Sequence, residues 1–167
     1  MANTIQAVMT SGGRAALAQS FGGPSGGFQY SYGKYFKIGT AGFQSSPQGN
    51  VPQNPSAAYT DIQSVVSGAF WYRQTFDVAD ILFISPFTIQ FRCLLGAADA
   101  NGNPLLEPDT GAVDDGPKNS AWLSGDAPIF FEIGLFDDND VMVTYGTFPG
   151  ETKLNTKTLN HLVNINF

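Results

Sequence analysis

Apolar residues recur at every second position along much of this chain. From Phe87 to Leu95, the residues Phe87, Ile89, Phe91, Cys93 and Leu95 fall on one side of an extended backbone, and Thr88, Gln90 and Arg92 on the other. Leu162 to Phe167 repeats the pattern, with Val163, Ile165 and Phe167 inward and Asn164 and Asn166 outward. Phe28, Tyr30 and Tyr32 alternate with Gln29, Ser31 and Gly33, and Phe70 and Tyr72 with Trp71 and Arg73. Ile129 to Phe136 and Val141 to Thr147 read as two strands of a hairpin. The turn between them, Asp137-Asp138-Asn139-Asp140, is made of residues that tolerate left-handed backbone and bond their own main chain. Within the first of these strands, Ile129, Phe131, Ile133 and Leu135 share one expected inward face, and Phe130, Glu132 and Gly134 share the other.

Only one segment is strongly helical. Thr10-Ser11 supplies a hydroxyl N-cap, good helix formers run to Ser20, and Gly22-Gly23 ends the helix. Ala15, Leu17 and Ala18 make a narrow apolar stripe, and so short a helix must pack on something to persist. Gly22 to Gly27 reads as a flexible turn. Ser45 to Pro55, with three prolines, reads as a surface loop barred from a sheet interior. Ala97 to Asp126 is a long Asp-, Asn-, Gly- and Pro-rich stretch anchored by Leu105, Leu106, Val113, Trp122 and Leu123. Such an excursion is expected to be functional and to reach a neighbouring molecule. Leu105, Leu106, Trp122 and Leu123, with Trp71, are its candidate interface residues. The expected fold is mainly β: an antiparallel sandwich or partly closed barrel with one short N-terminal helix. It is a single domain over 1–167 with a loop insertion at about 97–126.

Composition narrows the function classes. Charged residues are only 13% of the chain, about half the usual share, against 43% apolar, so either the abundant Asn, Gln, Ser, Thr and Gly cover the surface or part of it is hidden in an assembly. The net charge of −6 argues against a nucleic-acid partner and against an anionic membrane. The apolar run Ile81 to Ile84 is far too short to span a bilayer, and Met1 to Thr10 lacks the pattern of a secretory signal. A lone cysteine, Cys93, makes no internal disulfide and suits folding in a reducing cytoplasm. Its place on the apolar face of a strand makes it a core residue rather than a reactive thiol.

Two stretches carry a resemblance. One is Ile5-Gln6-Ala7-Val8-Met9-Thr10-Ser11-Gly12-Gly13-Arg14-Ala15-Ala16-Leu17-Ala18. The other is Phe131-Glu132-Ile133-Gly134-Leu135-Phe136-Asp137-Asp138-Asn139-Asp140-Val141-Met142-Val143, followed by Gly146 to Lys153. Together they resemble the N-terminal attachment domain of bacteriophage tail-collar fibre proteins. The resemblance implies a structural virion protein of the tail, an adaptor joining fibres to the baseplate or collar, made in the host bacterial cytoplasm. It implies no catalytic residues and no cofactor. Its partners would be other tail proteins and copies of itself in a homo-oligomer such as a trimer. Glu132, Gly134, Leu135, Phe136 and Lys153 stand at the family's motif positions. Members of that family usually continue into a fibre, whereas this sequence stops within a strand at Phe167, so a stand-alone adaptor is the expectation.

The residues offer other chemistry less support. Gly134 should leave room for a neighbouring ring or backbone. Glu132, if buried, needs a partner, and Arg73, Arg92 or Lys153 could serve. The Asp137 to Asp140 turn lacks the Gly and the final Glu of a calcium-binding EF-hand loop. Asp109, Asp114, Asp115 and Asp126 are taken as solvated loop carboxylates. One cysteine and one histidine, His161, cannot build an ordinary transition-metal site within one chain. No nucleophile elbow is present. The alternative function is a carbohydrate-binding, receptor-recognition module of the tail, which predicts a groove of exposed aromatics flanked by Asn and Asp. A polysaccharide hydrolase would need paired carboxylates such as Glu132 and Asp137 at a fixed separation.

Overall fold

The computed structural model describes residues 3–22, 33–76, 78–95, 128–154 and 157–166. Leu105, Leu106, Trp122, Leu123 and the four loop aspartates lie outside these residues, as do the expected strand at Phe28 to Tyr32, residues 23–27 of the expected turn, and Phe167. The described elements are β1 (Asn3–Met9), α1 (Ser11–Gly22), β2 (Gly33–Gly39), β3 (Phe43–Ser46), β4 (Gly49–Pro52) and α2 (Gln63–Ser67). They continue with β5 (Trp71–Thr75), β6 (Ile81–Ser85), β7 (Thr88–Leu95), β8 (Ile129–Asp137), β9 (Met142–Thr152) and β10 (Leu159–Asn166). No helix among them is long and apolar enough to cross a membrane.

Eight strands form one sheet in the order β5-β2-β8-β9-β1-β10-β7-β6. The architecture is mainly β, with antiparallel pairing throughout except between β1 and β10. Strand β1 belongs to two leaves at once. Asn3 to Gln6 run parallel to His161 to Asn164 of β10, and Ala7 to Met9 run antiparallel to Thr144 to Gly146 of β9. About this strand the sheet folds over on itself as a sandwich. The ring of Phe76, beside β5, packs at a tilt 5.1 Å from that of Phe91 of β7, and a methyl group on Gly33 of β2 would lie 2.5 Å from the Phe91 ring. The end strands β5 and β6 do not pair, so no barrel closes. The core between the leaves is aliphatic and aromatic, with Phe36, Ile38, Ile133, Leu135 and Val163 at its centre and Cys93 fully buried among them.

Alternation in β7, β10 and β5 holds as the sequence implies. Phe91, Cys93 and Leu95 are buried, and so are Leu159, Val163 and Ile165. Tyr72 joins the main core while Trp71 packs on the opposite side. Phe87 is the exception: it sits in the β6–β7 turn and is exposed. The Ser45 to Pro55 stretch is not all loop, because β3 and β4 pair as a separate two-stranded hairpin outside the main sheet. A second helix, α2, was not evident in the sequence. The segment that carries it covers the outer face of β2, β8 and β9, where Tyr35, Ile62, Phe136, Met142 and Tyr145 form a second apolar cluster.

Strand β8 is therefore buried on both faces from Phe130 to Asp137. Its inward set differs from simple alternation. A register shift between Phe130 and Glu132 places Phe130, Ile133 and Leu135 in the main core, and sends Phe131 against Phe43 at 4.9 Å. The extra residue of such a bulge reverses the parity of the strand before it.

Helix α1 begins where expected. Thr10 Oγ1 accepts the Gly13 N–H at 2.9 Å and donates to the Met142 carbonyl, while the Thr10 N–H donates to Val143 O at 3.0 Å. Of the expected stripe, Leu17 belongs to the contact face of the helix, whereas Ala15 and Ala18 are exposed. Gly13, with Ala16 and Leu17 one helical turn on, turns towards the sheet instead. Gly13 lies so close to β9 that a methyl group would stand 2.3 Å from Val143 O. Gly13→Ala should therefore lower stability by about 1–3 kcal/mol, towards the upper end because the obstacle is backbone. Thermal unfolding of the two proteins side by side checks this, and an unchanged melting temperature would refute it.

Candidate functional site

The strongest polar constellation centres on Glu132, whose side chain is fully buried on the outer face of β8. Helix α2 opens with Ile62 at its N-cap, a residue with no side-chain acceptor, so its first N–H groups need an outside partner. Glu132 supplies it. Its Oε2 accepts the Gln63 N–H at 2.8 Å, and its Oε1 accepts the Ser64 N–H at 2.6 Å and the Ser64 hydroxyl at 2.6 Å. The Tyr145 hydroxyl donates to Oε2 at 2.7 Å. A carboxylate at the start of a helix also meets the favourable end of its dipole. Ser64 passes the link on, because its Oγ accepts the Ala41 N–H at 2.8 Å. Burial, and then the neighbouring Glu132 charge, push the Tyr145 phenol upward, so it remains a donor at all ordinary pH.

Three glycines make the space for this arrangement. A methyl group on Gly39 would lie 2.1 Å from Ser64 Oγ, and one on Gly42 2.6 Å from Glu132 Cβ. Gly42 also holds φ +82, a left-handed conformation suited to glycine. Gly134 admits Ile62 and Met142, each 2.9 Å from where its methyl group would stand, with the Phe136 ring at 3.1 Å. This is the room expected of it, filled mainly by aliphatic neighbours rather than by backbone. Leu135 is core, and Phe136 stacks on Tyr35 with ring centroids 5.0 Å apart.

The expected ionic partner of Glu132 is replaced by four neutral donors, two of them main-chain N–H groups. Arg92 instead pairs with Asp80 at 2.7 Å. Arg73 lies over the Tyr35 ring at 4.9 Å. Lys153 is buried, and its Nζ donates to the carbonyls of Leu154 at 2.7 Å and Lys157 at 2.8 Å, gathering the chain between β9 and β10 around it. Burial, helped by the Lys157 charge, brings the Lys153 ammonium down to about 8. Trp71, a candidate interface residue, is half-buried beside Tyr35 and Phe136, with Lys37 Nζ 5.2 Å from its ring. Asp137 is buried at the end of β8. Its Oδ1 accepts the N–H groups of Asn139 at 2.9 Å and Val141 at 2.8 Å, so it closes the hairpin as expected. Among the described residues no group of three His, Cys, Asp or Glu side chains is placed to hold a metal ion.

A second buried group was not foreseen. His161 of β10 is the cross-strand partner of Cys93 of β7, so both point to the same inner face. The His161 ring packs on Phe148 at 4.4 Å, and its Nε2 lies 3.6 Å from the Glu151 carboxylate, which also pairs with Lys157. Burial lowers the affinity of His161 for a proton, with Glu151 opposing and Lys157 assisting. Burial, and then the Asp80 charge, raise the Cys93 thiol well above its usual value. The pair is a neutral imidazole beside a neutral thiol, sealed from solvent, with the chemistry of a core contact rather than of an activated nucleophile.

No protein-family model, curated protein or solved structure matches this chain.

Two tests follow from the geometry. Glu132→Gln puts an amide NH2 where only donors converge, and should cost about 3 kcal/mol, with Tyr145→Phe costing about 1–2 kcal/mol. Denaturant titration measures both, and equal stability of Glu132→Gln and wild type would contradict the capping role. For His161 the folded protein holds a proton less readily than the unfolded chain, whose histidine titrates near 6.5. The unfolded state therefore takes up the proton first, and stability present above pH 6.5 is lost as pH falls below it. Melting temperature should drop across that window in wild type and stay flatter in His161→Phe.

Proposed function

We propose that this chain is a structural virion protein of a bacteriophage tail, an adaptor that joins fibres to the baseplate or collar and turns over no chemistry. One observation carries the reading. The two stretches that resemble the tail-collar attachment domain are 132 positions apart at their junction, yet they form one packed unit. The Thr10 hydroxyl donates to Met142, β1 pairs with β9, and Gly13 rests on Val143. The motif residues divide the structural work. Glu132 fastens α2, Gly134 and Phe136 form the platform beneath it, Leu135 fills the core, and Lys153 fastens the β9–β10 connection. Each motif position thus has a structural task that needs no substrate, which suits a rigid attachment module. In such a protein, function lies in the angle at which rigid faces meet neighbours.

The carbohydrate-binding alternative draws less support. The most exposed aromatics among the described residues, Phe83 and Phe87, lie at the edge of the sheet beside Leu82, Ile84 and Pro86. Among the described residues, Phe83 borders an apolar cleft rather than a polar groove of the kind that grips sugar hydroxyls.

The test is to purify tails of the phage that carries this gene, identify their proteins by mass spectrometry, and locate this chain with gold-labelled antibody. Stoichiometric presence at the collar or baseplate is the expected result. Its absence from intact particles, or sugar affinity on a glycan panel without particle binding, would overturn the proposal.

A further inference from the structure

The sheet has two ends of very different character. At one end, β5 is protected: Tyr72, Arg73 and Gln74 are all buried. At the other, β6 pairs only with β7 among the described residues and leaves its outer backbone edge open. Side chains alternate across a strand, so Ile81 and Phe83 share the inner face and Leu82 and Ile84 the outer one. All four are apolar. Phe83 is 78% exposed, Phe87 in the following turn 68%, Ile84 52% and Leu82 44%. No charged residue occurs from Ile81 to Phe91, in a protein of net charge −6. Natural edge strands are usually guarded by charge, proline or a bulge. Here Pro86 and the irregularity at Phe83–Ser85 fall at the end of the strand, and Ile81 to Phe83 keep regular register. A strand apolar on both faces has the pattern of one covered on both faces.

An apolar cleft of about 260 Å³ continues this surface inward, where Leu17 of α1 faces Ile81, Phe83, Ile89, Phe91 and Ile165. Phe83 forms its rim. The open edge, the exposed row and the cleft are one continuous surface.

We propose that β6 is a self-association edge, and that its occupant is the β6 of a second copy, antiparallel about a two-fold axis near Phe83. Three observations favour a second copy. The row Leu82-Phe83-Ile84 is self-complementary, so a two-fold axis sets Leu82 against Ile84 and Phe83 against its own counterpart, apolar on apolar. The absence of charge lets two acidic copies meet there without like charges in contact. The area also suffices. Taking about 200 Å² for a large apolar side chain, the four exposed residues offer roughly 450 Å² per copy. Twice that, with the backbone edge added, reaches the roughly 1,000 Å² needed for a specific interface. Pairing would run the two sheets into one and place the two clefts side by side.

This inference rests on the edge itself and not on the tail reading. A protein absent from tails but dimeric through β6 would keep the one and lose the other. Sedimentation of the full chain across roughly two decades of concentration should show a reversible dimer. The double variant Phe83→Lys with Ile84→Lys should weaken it at least tenfold while leaving circular dichroism and melting temperature near wild type, because both side chains are exposed. In a second variant, Phe83→Cys, the two thiols of a two-fold pair would stand opposite each other and cross-link under mild oxidation. Native Cys93 is buried and stays silent, and Val66→Cys, exposed on α2, should not cross-link. A monomer at every concentration, an oligomer untouched by the double lysine variant, or a Phe83→Cys protein that cross-links no better than Val66→Cys would each overturn the inference.

Discussion

The outer layer of this fold depends on one buried carboxylate that no cation among the described residues meets. Glu132 is fully buried, and its four hydrogen bonds come from neutral donors on two separated parts of the chain, the start of α2 and strand β9. An isolated buried carboxylate is expensive, and enough good donors offset that cost. Here the donors include the N–H groups that α2 would otherwise leave unsatisfied. Each side solves the other's problem: the short helix has no cap of its own, and the strand carboxylate has no counter-ion among the described residues. The second apolar cluster, built around Ile62, Tyr145 and Phe136, is then held over the sheet. The covered strand becomes central rather than peripheral.

Much of the architecture could be read from periodicity. The inward faces of β7 and β10, the capped helix at Thr10, the Asp-rich hairpin turn and the buried cysteine all follow from local pattern and side-chain chemistry. What escaped reading was non-local. The bulge at Phe130 to Glu132 reverses strand parity, and nothing in the alternation of Ile129 to Leu135 marks it. Helix α2 spans five residues, too few to show a period, and its cap lies on another strand. Gly39 and Gly42 admit Ser64 and Glu132, and a glycine in a sequence does not say what approaches it. Ser64 and Tyr145 gave no signal of their own, since serine and tyrosine are common in loops and strands alike. Likewise, His161 and Cys93 meet only through a register that the sequence does not state.

The polar interior is economical and specific. Lys153 gathers main-chain carbonyls, Asp137 gathers main-chain N–H groups, and Glu132 gathers both main-chain and side-chain donors. In each case a charged side chain organises an irregular stretch of backbone that regular pairing cannot satisfy. A chain with so few charges thus spends several of them inside, where they fix the shape of loops and connections. At β6 the described surface is apolar instead.

The double pairing of β1 bears on how the chain reaches this state. One strand near the start of the sequence joins β9 with one half and β10 with the other, so both leaves close on partners more than a hundred residues away. Contacts of such long sequence separation pay their loop-closure entropy before they return any stability, and they slow folding. On a ribosome, the strand that unites the two leaves must wait for nearly all of the described chain to emerge. During that interval β1 has no sheet to join, and the apolar β6–β7 hairpin lacks its β10 neighbour. The step at which β10 slides in beside β1 is thus the one that converts two open leaves into a sandwich.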